Sequence, residues 1–500
     1  MKYLNRLTRI CNSHNHYGFN YEWPCRTNTL AHTAALVFER AAVFYIALVF
    51  CLTAAHGADD VSWWLTTPQE NNRLTRQSDL LTFDASVDTN LPAIVVDPHT
   101  KYQTVDGFGF ALTGGSAEHL TAMSPDRRQA ILQEIFSSNG DGLGVSYLRV
   151  SIGSSDLNSR VFSYDDLPAG ETDPQLEKFD LSDDKINVIP ILTEILKINP
   201  KVKILGSPWS APVWMKSNHY IQGGKLKPEY YDTYARYFVK YIQAMARAGI
   251  HIDAVTVQNE PFNDGNTPSM QMFPKEGARF VAEYLGPAFR AAHLKTKIII
   301  YDHNCDAPEY PISILTDPNA RKFVDGSAFH LYAGPISALS EVHNRFPEKN
   351  IYFTEMMVVN RQPEFNAAAP VSRILIGATR NWSRNVLLWN LAADSNFEPH
   401  TDNGGCAFCQ GAITIDGDQV ERNEAYYVIG HASKFVPPGS QRIASTESVT
   451  LPNVAFRTPA GKIAVIVANP GKQPQKFRLA VKGRSIQPEL PAESVATFVW

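Results

Sequence analysis

The chain predicts a (β/α)₈ barrel carrying an all-β sandwich built from both ends of the sequence. Three observations support this. Eight short apolar, β-branched runs are bounded by turn residues, stretches of helical period lie between them, and a tail from about Ser440 reads as strand with Pro and Gly turns. At 500 residues the chain exceeds what one core usually supports, so two structural units are expected. With 44% hydrophobic and 19% charged residues it can bury a large core and has no disorder-grade composition.

Taken in order, the first 57 residues differ from the rest. Arg40 precedes an apolar stretch, 41–55, and Ala55-His56-Gly57 offers small residues at a cleavage point. About 15 apolar residues are short for a membrane helix, which needs about 20, and suit a secretory signal. The expectation is an exported protein, secreted or periplasmic, with no stable membrane span after signal removal. Residues 58–102 contain short β-like segments near 80–83 and 93–96 and are expected to join the sandwich.

The barrel is placed at 103–435. Its strands are predicted at 107–112, 146–152, 202–207, 252–257, 297–301, 327–332, 351–354 and 386–391. Helical stretches follow at 124–136, opened by Ser124-Pro125-Asp126, and at 182–198, opened by Ser182-Asp183-Asp184. Others are predicted at 228–248, 275–293, 311–324, 338–346 and 370–382. Residues 436–500 are the C-terminal part of the sandwich, with strands near 454–457, 463–468, 475–480 and 495–500.

A net charge of −4, without clustered Lys and Arg, argues against a nucleic-acid surface and favours a neutral substrate. Of six cysteines, Cys305, Cys406 and Cys409 would remain in the mature chain. The lone Cys406-x-x-Cys409 pair reads as a local disulfide or two buried thiols rather than a metal or redox site. The chain's one His-x-His, His14 and His16, lies in the leading segment. No metal site or cofactor is predicted.

The polar residues fall where a barrel places chemistry, at the carboxyl ends of strands. Arg149 sits on the second strand, Trp209 follows the third, and Asn259-Glu260 follow the fourth. His330 and Tyr332 end the sixth, Glu355 the seventh, and Trp389 the eighth. Two carboxylates on separate strand ends are what retaining sugar hydrolysis needs: one protonates the leaving oxygen, the other attacks the anomeric carbon. Pro261 stops the strand directly after Glu260, which suits the acid/base. As acid it should have a raised pKa, whereas the nucleophile Glu355 should stay ionised, held by Arg149 and the Tyr332 hydroxyl. Asn259 could bond a sugar 2-hydroxyl. Trp209 and Trp389 could form a platform for the apolar face of a sugar ring, with indole N–H groups free for hydroxyls.

These residues lie in segments that resemble glycoside hydrolase family 30, the group containing the lysosomal glucosylceramidases. The resemblance runs from Gln103 to Trp500. It is carried by Gly107-Phe108-Gly109, the run Ser207-Pro208-Trp209-Ser210-Ala211-Pro212-Val213-Trp214-Met215-Lys216, and Val255-Thr256-Val257-Gln258-Asn259-Glu260-Pro261. His330-Leu331-Tyr332, Trp389-Asn390-Leu391 and the run from Gly430 to Ser440 complete it. The resemblance implies net retention, with Glu260 as acid/base and Glu355 as nucleophile. Arg149, Trp209, Asn259, Tyr332 and Trp389 would line the terminal-sugar subsite. In glucosylceramidases an Asp soon after the first strand binds glucose hydroxyls, and this chain has Gly114 there. That departure leads to the expectation that glucose is not the preferred sugar.

The leading expectation is a glucosylceramidase-like exported β-glycosidase acting on a β-linked glycoside or oligosaccharide, or on a glycolipid. β-Fucosidase, β-xylosidase and β-1,6-glucanase are the alternatives within the family. A carbohydrate-binding protein without turnover is the alternative from another class.

Overall fold

The computed structural model describes residues 60–69, 72–85, 90–359 and 365–500. The expected signal therefore lies outside the described residues. Eight parallel strands form the barrel: β1 Gly107–Ala111, β2 Tyr147–Ser151, β3 Lys203–Ser207, β4 Ala254–Thr256, β5 Lys297–Asn304, β6 Val324–His330, β7 Asn350–Glu355 and β8 Asn385–Leu388. Neighbours pair in chain order, and β8 returns to pair with β1. The gap between β7 and β8 is bridged at both ends, by Ile351 with Ser383 and by Met357 with Trp389. All eight predicted runs became barrel strands.

Helices occupy the predicted intervals, with local departures. The second begins as a 3₁₀ turn at Ser182–Lys185 before Val188–Ile198, and the intervals at 275–293 and 370–382 each contain a π-helical turn, Phe280–Leu285 and Val371–Ile376. Two helices were not predicted. One, Gly114–Ala122, follows β1 directly and is capped by Thr113, whose side chain accepts from Ser116 N. The other, Glu424–Ser433, follows a small three-stranded sheet that includes Ile413–Asp416 and Gln419–Arg422. Nine of its ten residues are buried, so no polar face marks a helical period.

The sandwich draws on both ends of the chain. Asp60–Thr66 pairs antiparallel with the final strand Ser494–Val499, and Ala93–Thr104 lies between Gln441–Ser445 and Arg478–Val481. Strand alternation gives this sheet two apolar faces. Val465, Val467 and Ala455 face the sandwich's own core with Trp63, Leu479 and Phe498. Ala464, Ile466, Val454 and Phe456 face the other way and join the barrel core, where Phe456 meets Phe108 edge to face. His431 locks the junction from the last helix: Nδ1 lies 2.9 Å from Thr497 Oγ1 and Nε2 2.8 Å from Thr66 Oγ1. Burial pushes its pKa down to about 3, so it sits there as the neutral ring.

Candidate active site

The barrel interior is layered. Tyr147, Leu205, Ala254, Ile299, Ala328, Tyr352 and Leu387 form one apolar layer. Two residues further along the strands, inward positions are polar: Arg149, Ser207, Thr256, His330 and Thr354, all buried. The floor is therefore dry packing and the layer above it a hydrogen-bonded network.

Arg149 organises that network. Its Nη1 donates to Glu355 Oε2 at 2.5 Å, its Nη2 to Asn259 Oδ1 at 2.6 Å and Asp302 Oδ2 at 2.9 Å, and its Nε to Ser207 Oγ at 3.1 Å. Because Arg149 takes the Asn259 carbonyl, the amide NH₂ is the end available to a sugar. Asp302 also accepts from Thr256 at 2.7 Å and from Thr354 at 2.6 Å. Burial would raise its carboxyl, but Arg149, His330 and Thr354 hold it far below the usual carboxylate range.

Sequence reasoning missed Asp302. It ended the fifth strand at Tyr301, but the strand runs to Asn304, and the pairing of β5 with β6 shifts between Ala328 and Phe329. Tyr301 and Asp302 both have left-handed backbone, φ 77° and 58°. The irregularity turns Tyr301 outward and swings Asp302 in, against the alternation that Ile299 sets. The available signal was the polar run Asp302-His303-Asn304 after an apolar strand.

Glu260 has left-handed backbone as well, at φ 46°, and its N–H donates to the Asp302 carbonyl at 3.0 Å. Such backbone costs about 1–3 kcal/mol and collects at functional sites. Asn263 and Asn266 donate to Oε2 at 2.6 and 3.2 Å. On the other oxygen, His330 Nδ1 lies 3.1 Å from Oε1, while His330 Nε2 faces Asp302 Oδ1, also at 3.1 Å. The same Nδ1 is 3.8 Å from Glu355 Oε1. One nitrogen close to both carboxylates limits their Oε1–Oε1 separation to roughly 7 Å. That cap admits the about 5 to 5.5 Å gap of double displacement and excludes most of the about 6.5 to 9.5 Å range of inverting enzymes.

The proton balance differs from the sequence expectation. Burial pushes Glu260 up, but the His303 and His330 imidazoles beside it outweigh this and hold it well below the usual carboxylate range. Burial raises Glu355, and the charges of Glu260 and Asp302 add to this, so Arg149 and His330 do not bring it back down. His330 is pushed up to about 9: burial opposes its charge, but Glu355, Asp302 and Glu260 favour it more. Joined by a hydrogen bond, His330 is drawn toward its protonated form and Glu260 toward the carboxylate, and the two titrate as one unit. The expectation placed the positive charge beside Glu355 alone. The fold divides Arg149 between two carboxylates and points the imidazoles at Glu260.

Above this layer the cleft is aromatic. Trp209 and Trp389 are buried, with ring centres 5.3 Å apart, and the Arg149 guanidinium lies 4.7 Å from the Trp209 ring. Trp209 Nε1 is a buried donor without a partner among the described residues, so its N–H is available to a sugar hydroxyl. The Tyr332 hydroxyl donates to Glu355 Oε1 at 3.0 Å. The cleft, about 360 Å³, is also lined by Asp156, Asn304, Phe408 and a disulfide between Cys406 and Cys409. Of the two readings of this pair, local disulfide or two buried thiols, the structure has the disulfide, and it is part of the cleft wall.

All eight sequence-predicted site residues meet in this region, and the structure adds Asp302, His303 and Asp156. Asp156 bears on Gly114. A Cβ at Gly114 would come within 1.8 Å of Asn158 Nδ2, so a side chain there requires the buried Asn158 side chain to move. A further carboxyl group lines the cleft, that of Asp156 after β2, buried with Glu260 and Glu355. Burial and those two charges push it up to about 8, which makes it a protonated acid able to donate as well as accept. The cleft thus holds a third carboxyl group that the reading of Gly114 did not include.

A (β/α)₈ barrel with two carboxylates and an aromatic cleft at its carboxyl rim defines a glycoside hydrolase. Family models agree: residues 105–436 match the glycosyl hydrolase family 30 TIM-barrel domain and residues 439–498 the family 30 beta sandwich domain. The chain belongs to glycoside hydrolase family 30. It is 34% identical over 423 residues to an endo-1,6-beta-D-glucanase of Aspergillus fumigatus, covering 79% of this chain and 85% of that protein. Identity to the lysosomal acid glucosylceramidase of Mus musculus is 29%, covering 81% and 83% of the two chains. A solved endo-beta1,6-glucanase superposes with a TM-score of 0.81 at 35% identity, covering 88% of this chain and 99% of that one. Among the described residues no helix is long and apolar enough to cross a membrane.

Proposed function

We propose that the protein is an exported retaining β-glycosidase that cleaves β-1,6-linked glucan. Glu355 attacks the anomeric carbon while Glu260 protonates the departing oxygen, giving a covalent glycosyl-enzyme. Glu260, now a carboxylate, takes a proton from water as that water attacks the same carbon and releases Glu355. The His330–Glu260 hydrogen bond serves both halves: its proton moves onto Glu260 for the first and is recovered in the second. Asp156, Asn259 and Trp209 bond the sugar hydroxyls, with Trp389 packing beside Trp209.

The placement of Glu260 and Glu355 around one His330 nitrogen carries the mechanism. The substrate rests on the relatives: the endo-1,6-beta-D-glucanase of Aspergillus fumigatus at 34% identity and the solved endo-beta1,6-glucanase at 35%. Export is supported by the Cys406–Cys409 disulfide, which persists in oxidising compartments. A second reading, a β-linked glucolipid, is favoured by the mouse relative and by a separate cavity of about 560 Å³. Its walls include Phe162, Leu167, Val213, Trp214 and Pro268, an apolar surface suited to an alkyl chain.

Product analysis on glucans with β-1,6, β-1,3 and β-1,4 linkages, alongside alkyl and ceramide glucosides and aryl β-glycosides of glucose, galactose, fucose and xylose, tests this. The expected result is release from the β-1,6 glucan with the β-anomer formed first, seen by proton NMR. Faster turnover of the glucolipids selects the second reading. First appearance of the α-anomer, or full activity in Glu355→Gln, rejects the mechanism.

A further inference from the structure

Glu260, His303 and His330 each offer one metal-ligating atom, all within 4.8 Å of one another, and all three side chains are buried. His330 Nδ1 lies 3.1 Å from Glu260 Oε1, and His303 Nδ1 lies 3.5 Å from the same oxygen. A tetrahedral site with bonds of about 2.0–2.1 Å has ligand-to-ligand edges of ~3.3 Å, so two of the three edges are nearly in place. The rest of the surroundings also suit a metal. His303 Nδ1 is buried and, at 3.5 Å from Glu260 Oε1, makes no regular hydrogen bond among the described residues. His330 Nε2 faces Asp302 Oδ1 at 3.1 Å, and Arg149 and Thr354 fix that carboxylate. A carboxylate behind an imidazole is the support that orients metal-binding histidines.

We propose that this triad is an inhibitory site for a borderline divalent transition metal of the Zn²⁺ class. Two imidazole nitrogens and one carboxylate oxygen would hold the ion, and the fourth position would open to the cleft. Hard cations such as Mg²⁺ and Ca²⁺ prefer oxygen ligands, and this triad presents two imidazole nitrogens for one carboxylate. With Oε1 on the metal, Glu260 can neither give nor take a proton at the glycosidic oxygen. The inhibition rests on Glu260 being the acid/base; the binding does not.

Isothermal titration of the full-length protein with zinc chloride, without substrate, tests the site. His14 and His16 can bind zinc themselves, so the quantity read is the difference between wild type and His303→Ala or His330→Asn, each checked for folding by its thermal melt. The expected result is one zinc per chain that weakens at least about tenfold in either variant. In wild type, the same zinc concentration should inhibit β-glucoside hydrolysis, EDTA should reverse this, and Mg²⁺ should have no effect. A cleft-filling iminosugar should raise the apparent zinc Kd of wild type, a readout that needs no variant. Identical isotherms in wild type and folded variants, or an iminosugar without effect, overturn the site. Zinc bound at the triad of a fully active enzyme overturns its inhibitory role. If no glycoside is hydrolysed, the proposed function fails while the binding difference remains measurable.

Discussion

Arg149 Nη1 donates to Glu355 Oε2 at 2.5 Å, and the same buried guanidinium holds Asp302 through Nη2 at 2.9 Å. One positive charge therefore serves two carboxylates on different strands, in a fork geometry that only arginine offers.

Arg149→Lys should therefore disable the site despite keeping the charge. A lone ammonium cannot span both carboxylates and Asn259, and a buried carboxylate left unpaired is strongly destabilising, by about 3–5 kcal/mol. We expect kcat/KM to fall at least about 100-fold and the melting temperature to drop. Steady-state kinetics with a thermal melt would show this, and a lysine variant at wild-type activity would refute it.

Glu260→Ala should separate substrates by leaving group. A general acid contributes about 10²- to 10⁴-fold, and an activated aryl leaving group does not need it. The variant should lose that factor on β-1,6 glucan and much less on a dinitrophenyl β-glucoside. Equal losses on both would show that Glu260 is not the acid.

The alkaline limb of activity should report the His330–Glu260 pair. His330 is raised to about 9 by burial-opposed attraction to Glu355, Asp302 and Glu260. The pair holds its proton below that pH and loses it above, so kcat/KM on unactivated glucan should fall as pH rises through about 9. His330→Asn removes the cation that retains the proton and should move the limb to lower pH. A limb at the same pH in the variant would sink the shared-proton assignment.

Gly114→Asp should not create a better glucose site. Any Cβ there meets Asn158 at 1.8 Å, so the variant should melt lower with no gain in kcat/KM for β-glucosides relative to β-xylosides. An increased glucose preference would contradict the role given to Asp156.

His431 should contribute an acid-sensitive part of stability. Its folded pKa is lowered by burial to about 3, against an ordinary value of 6.5. The unfolded chain thus binds the extra proton first. The contribution is complete above pH 6.5 and is lost as pH falls toward 3, by about 1.4 kcal/mol per pH unit. His431→Gln can still bond both threonine hydroxyls but does not titrate, so the wild-type-minus-variant stability should slope with pH below 6.5. Parallel denaturation curves across that range would refute it.

The barrel was legible in the chain because each strand lies in a short, mainly apolar run bounded by turn residues, a local property. The site was legible where polar residues stood at run ends: Asn259-Glu260, His330, Glu355 and Trp389. Asp302 and Asp156 were not, for different reasons. Asp302 turns inward only because β5 pairs irregularly with β6, a register decided between strands. Asp156 enters the cleft from a loop after β2, whose path no periodicity records.

The sequence by itself determined which elements form and which residues reach the rim, through alternation, turn chemistry and the family segments. Only the tertiary structure decided how charge is shared there. Which carboxylate Arg149 neutralises, and which one the imidazoles face, depends on ångström-scale distances between strands far apart in the chain. Those distances reversed the expected order of Glu260 and Glu355.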